Sequence, residues 1–289
     1  MSRALALSAL FLLAACSATT GGGPDPTASP QAQPTDPDAH ERDRQNAIAG
    51  CMKQRGFKYV AFVPKRPAET EDDRKRKAGD FAASKRWTEK YGFMAFVGLV
   101  YPKDPVANPV SAYDTNPNDK ITMSLTPKQS NAYFKAHEEC YTEAVKKLTG
   151  KTVKGFVDFF EQFNKAREAI VTRALDGDPK LVELAQKYGD CLKSNGIKVT
   201  STKPSDISGA AARIWFDQLY AIGRKQNPKG KPGDNYMPTM KPQAAKPYYD
   251  KEVKAALIDL NCGRDFAAAY DPRSSELTSK LAAEWGMDR

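Results

Sequence analysis

The amino-acid sequence predicts a mainly α-helical fold with a few short β-strands, formed by one helical domain of two related halves that each contain one disulfide. The first observation is that apolar residues recur at helical spacing over several long segments. The second is an eight-residue motif, built around a cysteine, that occurs at 51–58 and again at 191–198. The third is that four cysteines, an even number, remain once Cys16 is set aside.

The two copies of the motif, CMKQRGFK and CLKSNGIK, align without gaps. Each copy is predicted at the end of a helix, with its glycine in the left-handed turn that commonly follows a helix. Each half then closes with a helix that carries its second cysteine. We therefore interpret the two halves as a duplication. Among the three pairings that four cysteines allow, duplication favours Cys51–Cys140 and Cys191–Cys262.

The predicted organisation along the chain has five segments. They are a signal peptide, a lipidated cysteine with a disordered Pro/Gly-rich tether, a first half-repeat, a connecting helix and a second half-repeat, at 1–15, 16–40, 41–150, 151–178 and 179–289.

The first half is predicted to mix helices with two short extended segments. A helix runs from Asp38–Arg42 to Arg55, and a helix that starts with a capping box at Thr126 runs to about Leu148. Between them we predict a strand at Tyr59–Val63, a surface helix at Glu69–Tyr91, a second strand or buried turn at Gly92–Val100, and a loop at Tyr101–Asn118.

The rest of the chain is predicted to be helical apart from one long loop. The connecting helix, Val153–Leu175, carries an apolar stripe at helical spacing: Phe156, Phe160, Phe163, Ile170 and Ala174. The later elements are helices at Pro179–Asn195 and Gly209–Ile222, a loop at Gly223–Lys246, a helix at Tyr248–Tyr270, and a last helix capped by Asp271 that ends near Trp285.

The N-terminus carries an export signal. One arginine, Arg3, precedes the apolar run Ala4–Ala15, which is shorter than the roughly 20 residues that a spanning helix needs. The run closes with Leu13-Ala14-Ala15-Cys16, which matches a lipobox. The match implies diacylglycerol on Cys16, removal of residues 1–15, and attachment to the extracytoplasmic side of the cell membrane. The alternative is an ordinary cleaved signal in which Cys16 is incidental.

The composition bears on possible partners. The chain has a formal net charge of +9, which favours contact with anionic lipid headgroups or anionic envelope polymers; a solvated basic surface without a ligand is the alternative. The lysines alternate with acids, and no basic stripe contains aromatic residues, so no nucleic-acid partner is predicted.

Candidate chemistry is sparse. The chain has two histidines, and His137 lies one helical turn from Cys140, but a metal pair would need that cysteine to be free. We therefore predict no metal, no cofactor and no catalytic residue. Trp215 and Tyr236 are candidates for a binding surface; a buried tryptophan and a solvent-exposed loop are the alternatives.

Several runs in the sequence resemble a group of actinobacterial exported proteins and lipoproteins. The runs are 51–59, Asn116–Asp119, Ser124–Pro127 and Tyr133–Cys140, with a looser likeness over 180–270. The resemblance implies an exported, disulfide-bonded protein and carries no active residues.

These observations lead to two functional hypotheses. The first is a non-catalytic binding or structural lipoprotein of the cell envelope, which contacts the membrane, an anionic polymer or another envelope protein. The second is a cell-envelope hydrolase whose carboxylates converge only in the fold. A cleft lined by two carboxylates would favour the hydrolase, and we expect no such cleft in a small helical module with two disulfides.

Overall fold

The computed structural model describes residues 36, 38–65, 68–109, 116–231 and 234–287. The predicted signal peptide, the lipidation site Cys16 and nearly all of the predicted tether lie outside these residues. The folded part, 37–289, is one compact unit. Within the described ranges it contains twelve α-helices: α1 Ala39–Gln54, α2 Glu71–Lys77, α3 Phe81–Tyr91, α4 Val97–Val100, α5 Pro117–Met123, α6 Pro127–Thr149, α7 Phe156–Leu175, α8 Pro179–Ser194, α9 Pro204–Ile207, α10 Ala210–Gln226, α11 Pro242–Cys262 and α12 Arg264–Glu284.

Both predicted disulfides are present. The Cα atoms of Cys51 and Cys140 are 5.6 Å apart, as are those of Cys191 and Cys262. Each bridge joins the end of a helix that carries the repeated motif to a helix later in the same half. The prediction of one disulfide in each half is therefore confirmed.

The two copies of the motif adopt the same conformation. Gly56 and Gly196 have φ angles of +80° and +78°, a region that a residue with a Cβ enters at a cost. In the first copy the amide of Phe57 donates to the carbonyl of Met52 at 2.9 Å, and in the second Ile197 makes the same bond at 2.9 Å. Each helix thus ends in the turn that the sequence predicted.

The prediction of short strands is wrong for the described residues, which contain no strand. Residues 59–63 are outside any regular element, and the backbone of Val60 is hydrogen-bonded to a side chain instead of a neighbouring strand. The amide of Val60 donates to Oδ1 of Asn118 at 2.8 Å, and Nδ2 of Asn118 donates to the carbonyl of Val60 at 2.9 Å. A buried asparagine supplies the two hydrogen bonds that a neighbouring strand would otherwise make.

Two stretches of the first half differ from their predicted extent. The predicted helix at Glu69–Tyr91 is two helices, α2 and α3, because the chain turns at Gly79 and Asp80 caps α3 by accepting the amide of Ala83 at 2.8 Å. The segment at 92–100 is a turn followed by α4, and so corresponds to the buried-turn alternative.

The buried face of α7 differs from the predicted stripe. Phe159 is fully buried, whereas Phe156 and Phe160, which the stripe placed in the core, are exposed. The indole ring of Trp285 packs against Phe159 and Phe163 at centroid distances of 5.4 and 5.8 Å. Because three phenylalanines lie within five positions, a distant residue decides which of them faces the core.

The last two helices meet at a different place from the predicted one. α11 ends at Cys262, and α12 continues from Arg264 through Asp271, which therefore caps no helix. Proline at 272 lacks an amide hydrogen but does not end α12. Tyr270 and Leu281, on either side of that proline, are both buried, so core packing holds the helix together across it.

Three apolar clusters form the core. The first joins α1, α6 and α7 to the end of α12, the second joins α7, α8, α9 and α12, and the third joins 91–100 to α10 and α11. The first and third clusters contain residues from both predicted halves. No described helix combines the length and apolar character that crossing a membrane requires.

Candidate functional site

A groove of about 1320 Å³ opens between α7, α9, α10 and α12, with residues 198–201 along one side. The expectation that this small disulfide-bonded module has no cleft is therefore wrong. The wall contributed by α12 includes Tyr270, Asp271 and Ala282 and four small hydroxyl side chains on successive turns: Ser274, Ser275, Thr278 and Ser279.

The sequence of α12 determines the chemistry of its wall. The helix buries Phe266 and Leu281 against the core, and the turns between them carry the four serine and threonine side chains that face the groove. Each hydroxyl both donates and accepts hydrogen bonds, so this row is polar and uncharged, and Asp271 lies before it on the same helix.

Charged residues of both signs line the rest of the groove. Four are acidic and three are basic: Glu168, Asp206, Asp217, Asp271, Arg167, Lys198 and Arg213. Two of these are held in place by neighbours. The hydroxyl of Ser201 donates to Asp206 at 2.7 Å, and Nη1 of Arg213 donates to the carbonyl of Ser208 at 3.0 Å. The near balance of charge means that the groove does not select strongly for an anion or a cation.

Asp271 has the most unusual environment among the lining acids. Its side chain is exposed to the groove, yet desolvation by the surrounding walls raises the pKa of its carboxyl. No other group within the described residues contributes to that shift. A carboxyl in this setting accepts a proton more readily than one on a flat surface.

The residues predicted as a binding surface do not line the groove. Trp215 packs in the third core cluster, where its ring lies edge-on to Phe96 with centroids 6.5 Å apart. Tyr236 holds its own loop together: its hydroxyl accepts from the amide of Lys231 and donates to Asp234, both at 2.9 Å. The sequence signal that was missed is the row of hydroxyl residues on α12.

The two residues of the candidate metal pair, His137 and Cys140, make other interactions. Cys140 is committed to its disulfide, and the His137 ring lies 5.3 Å from that of Tyr59. Desolvation lowers the pKa of His137. No group of three or more potential ligands for a metal ion occurs within the described ranges.

A buried carboxylate connects the two halves away from the groove. Glu252 of α11 is fully buried and accepts the amides of Phe93, Ala95 and Phe96 at 2.8–2.9 Å. Desolvation raises its pKa, and the three amide bonds oppose that effect. Gly92, with φ of +57°, lies so close that a Cβ there would approach Oε1 of Glu252 to 3.0 Å. This acid therefore holds the turn at 92–96 and is inaccessible to a ligand.

A third acid with a raised pKa, Asp259, lies three positions before Cys262 of the second disulfide. The hydroxyl of Tyr188 donates to Oδ1 of Asp259, and burial raises the pKa of Asp259 to about 6. Neither residue lines the groove. This pair bears on stability rather than on binding.

Asp259 should make the protein less stable as the pH rises from about 4 to 7. Its folded-state pKa is about 6, above the ordinary value of 3.8, so the folded state binds the proton more tightly. That stabilisation is complete below pH 4 and is lost as the pH rises through 6, by up to about 3 kcal/mol. In Asp259→Asn the side-chain carbonyl still accepts from Tyr188, and this part of the pH dependence disappears. Denaturant unfolding at several pH values measures the free energy of unfolding, with Asp217→Asn as the control at an exposed acid. If that free energy changed with pH in the same way for wild type and Asp259→Asn, the prediction would be wrong.

The groove has room for a sizeable ligand, and its chemistry is that of short hydroxyls with charges of both signs. No protein-family model, curated protein or solved structure matches the chain.

Proposed function

We propose that the protein is a lipoprotein, anchored to the cell membrane through Cys16, that binds an uncharged, hydroxyl-rich ligand in the groove on the extracytoplasmic side. The lipobox supports the anchor. Two disulfides support an oxidising compartment, since such bonds persist mainly outside the cytoplasm. The resemblance to exported actinobacterial proteins agrees with both.

The observation that carries the binding role is the hydroxyl wall of α12. Hydroxyl side chains match a ligand that also presents hydroxyls, because each group donates and accepts. The volume of about 1320 Å³ exceeds the roughly 300–1,000 Å³ of pockets for small molecules, so several sugar units fit. The near balance of four acids and three bases favours an uncharged ligand over a polymer that carries one sign of charge. A short oligosaccharide of the envelope is therefore the proposed ligand class.

Filling the groove should abolish binding. Ser275 is exposed on the α12 wall, so Ser275→Trp places an indole in the groove without disturbing the core. We expect at least tenfold weaker binding of neutral oligosaccharides, measured by saturation-transfer NMR and calorimetry. Ser194→Trp, at an exposed helical serine outside the groove, is the matched control. Equal binding by both variants and wild type, or preference for polyglutamate over neutral sugars, would refute the assignment.

A hydrolase acting in the same groove is the second candidate, because Asp271 has a raised pKa and three further carboxylates lie along the walls. Glycoside cleavage needs one protonated and one ionised carboxyl. Incubating the protein with the oligosaccharides that it binds and analysing the products separates the two candidates. Cleavage that Asp271→Asn abolishes, with binding retained, would replace the binding role by the hydrolase.

The anchor has its own test. Cys16→Ser removes the thiol that carries the lipid, so we expect the protein to leave the membrane fraction for the medium, or to accumulate as an uncleaved precursor. Fractionation of cells and mass spectrometry of the N-terminus measure this. Unchanged membrane retention together with normal removal of residues 1–15 would refute the lipid anchor.

A further inference from the structure

We infer that the start of α7 is a second contact with the membrane, at which an exposed aromatic patch and a lysine cluster dock the folded unit onto anionic lipid. The patch consists of Phe156, Val157 and Phe160, and the cluster consists of Lys146, Lys147, Lys151 and Lys154. The inference rests on the proposed lipid anchor for its setting, but its test does not require the lipid.

The patch is exposed although its residues are strongly apolar. The side chains of Phe156, Val157 and Phe160 are 57%, 67% and 38% exposed. They lie together on the first turns of α7, and the rings of Phe156 and Phe160 are 4.8 Å apart. Aromatic and aliphatic side chains grouped on one face of a helix are the contacts that insert into the interface of a bilayer.

The charge next to the patch identifies the partner. The four lysines fall within the nine positions that precede Gly155 and the patch, and the acids near them are Glu138, whose carboxyl lies against Gly155, and Asp158 and Glu161 on the first turns of α7. None of the four lies in a salt bridge within the described ranges. The ammonium of Lys151 lies 5.1 Å from the centroid of the Trp285 ring. That ring packs against Phe159, the residue that directly precedes Phe160 of the patch. Lysines that lie next to an apolar patch and outside these salt bridges match a bilayer with anionic headgroups.

The place of the first helix in the folded unit supports the same partner. The described helix α1 begins at Ala39, 23 positions after Cys16. Five residues into α1, about 8 Å along the helix, the guanidinium of Arg44 lies 5.9 Å from the ring of Phe159 and donates to the carbonyl of Gly286 at 2.9 Å. His40 and Arg44 also lie beside Leu148 and Thr149, so α1 begins next to the lysine cluster. An anchor at Cys16 would be joined to the folded unit through the start of α1.

The test uses the chain from residue 16 onward with Cys16→Ser, which is unlipidated and retains the whole compact unit 37–289. We expect it to sediment with vesicles of phosphatidylcholine and phosphatidylglycerol, and to bind at least tenfold more weakly to phosphatidylcholine alone. Phe156→Ser/Phe160→Ser should weaken binding at least tenfold. Lys151→Glu/Lys154→Glu should weaken it by roughly fivefold or more for each lysine changed.

Matched controls come from exposed residues elsewhere. Met237 is a 59% exposed apolar residue beside Gly223 of α10, a helix that belongs to the third core cluster and not to the first, so Met237→Ser should bind as wild type. Lys225→Glu/Lys229→Glu makes the same change of charge at exposed positions outside the cluster. Val157→Asp is a second patch variant, at the most exposed of the three positions, in case the double phenylalanine variant does not fold.

The outcomes separate this inference from the proposed function. Binding of unlipidated protein to anionic vesicles that the patch variants lose supports the inference even if Cys16 proves not to be lipidated in cells. No vesicle binding, equal binding to both lipid compositions, or equal effects of the patch and control variants overturns it and leaves the anchor untouched. A concentration-dependent dimer that Phe156→Ser/Phe160→Ser abolishes, without vesicle binding, overturns it in favour of self-association.

Discussion

Replacing Cys51 and Cys140 together by alanine should lower the free energy of unfolding by about 4–5 kcal/mol, the largest loss expected from any single site in this protein. The bridge closes a segment of 89 residues, and opening it restores the conformational entropy of that segment in the unfolded chain. Cys140 is also fully buried among Met52, Tyr133 and Ala144, so the shorter side chains leave space in the first core cluster.

The second bridge provides the internal comparison. Cys191–Cys262 closes 71 residues, and both of its cysteines are only partly buried, so the corresponding double alanine variant should lose less stability. Guanidinium unfolding followed by circular dichroism measures both losses, with wild type in reductant as a further reference. Equal midpoints for wild type and the Cys51→Ala/Cys140→Ala variant, or a larger effect from the second bridge, would contradict this account.

Glu252→Ala should cost about 3–5 kcal/mol of stability, because it leaves three amides of the 92–96 turn without an acceptor inside the core. Glu252→Gln should fall between alanine and wild type. Its single carbonyl can still accept from Phe93 and Ala95, but its amide group then faces the N–H of Phe96. The third core cluster depends on this turn, so its residues should lose order together.

The experiment combines stability with local protection. Denaturant unfolding gives the total loss, and hydrogen exchange at the amides of residues 93, 95 and 96 reports whether the turn opens. Asp250→Ala on the same helix removes an exposed carboxylate that pairs with Lys246 at 2.6 Å, and should change stability by at most about 1 kcal/mol. Exchange that is unaltered at the three amides in Glu252→Ala would show that the acid does not hold the turn.

Features that depend on a few neighbouring residues were predictable. The capping box at the start of α6 forms between Thr126 and Gln129, three positions apart, with the amide of Thr126 donating to Gln129 at 3.0 Å. The glycine turns at 56 and 196 are equally local. The disulfide pairing follows from the repeated motif, since duplicated sequences place their cysteines in equivalent positions. In each case the residues that determine the structure are adjacent in the chain or repeated within it.

Features that depend on distant partners were not predictable from the sequence alone. Residues 59–63 have the composition of a strand, but Asn118 satisfies Val60 through its side chain. Any of three phenylalanines on α7 had the spacing to face the core, and Trp285, more than 120 positions later, selects Phe159. The hydroxyl row of α12 is visible in the sequence, but the groove forms only where α12 meets α7, α9 and α10, which are distant from it in the chain. Local hydrogen bonding and repetition therefore determined the helix ends and the disulfides, whereas packing between distant helices decided the buried faces, the groove and the exposed patch.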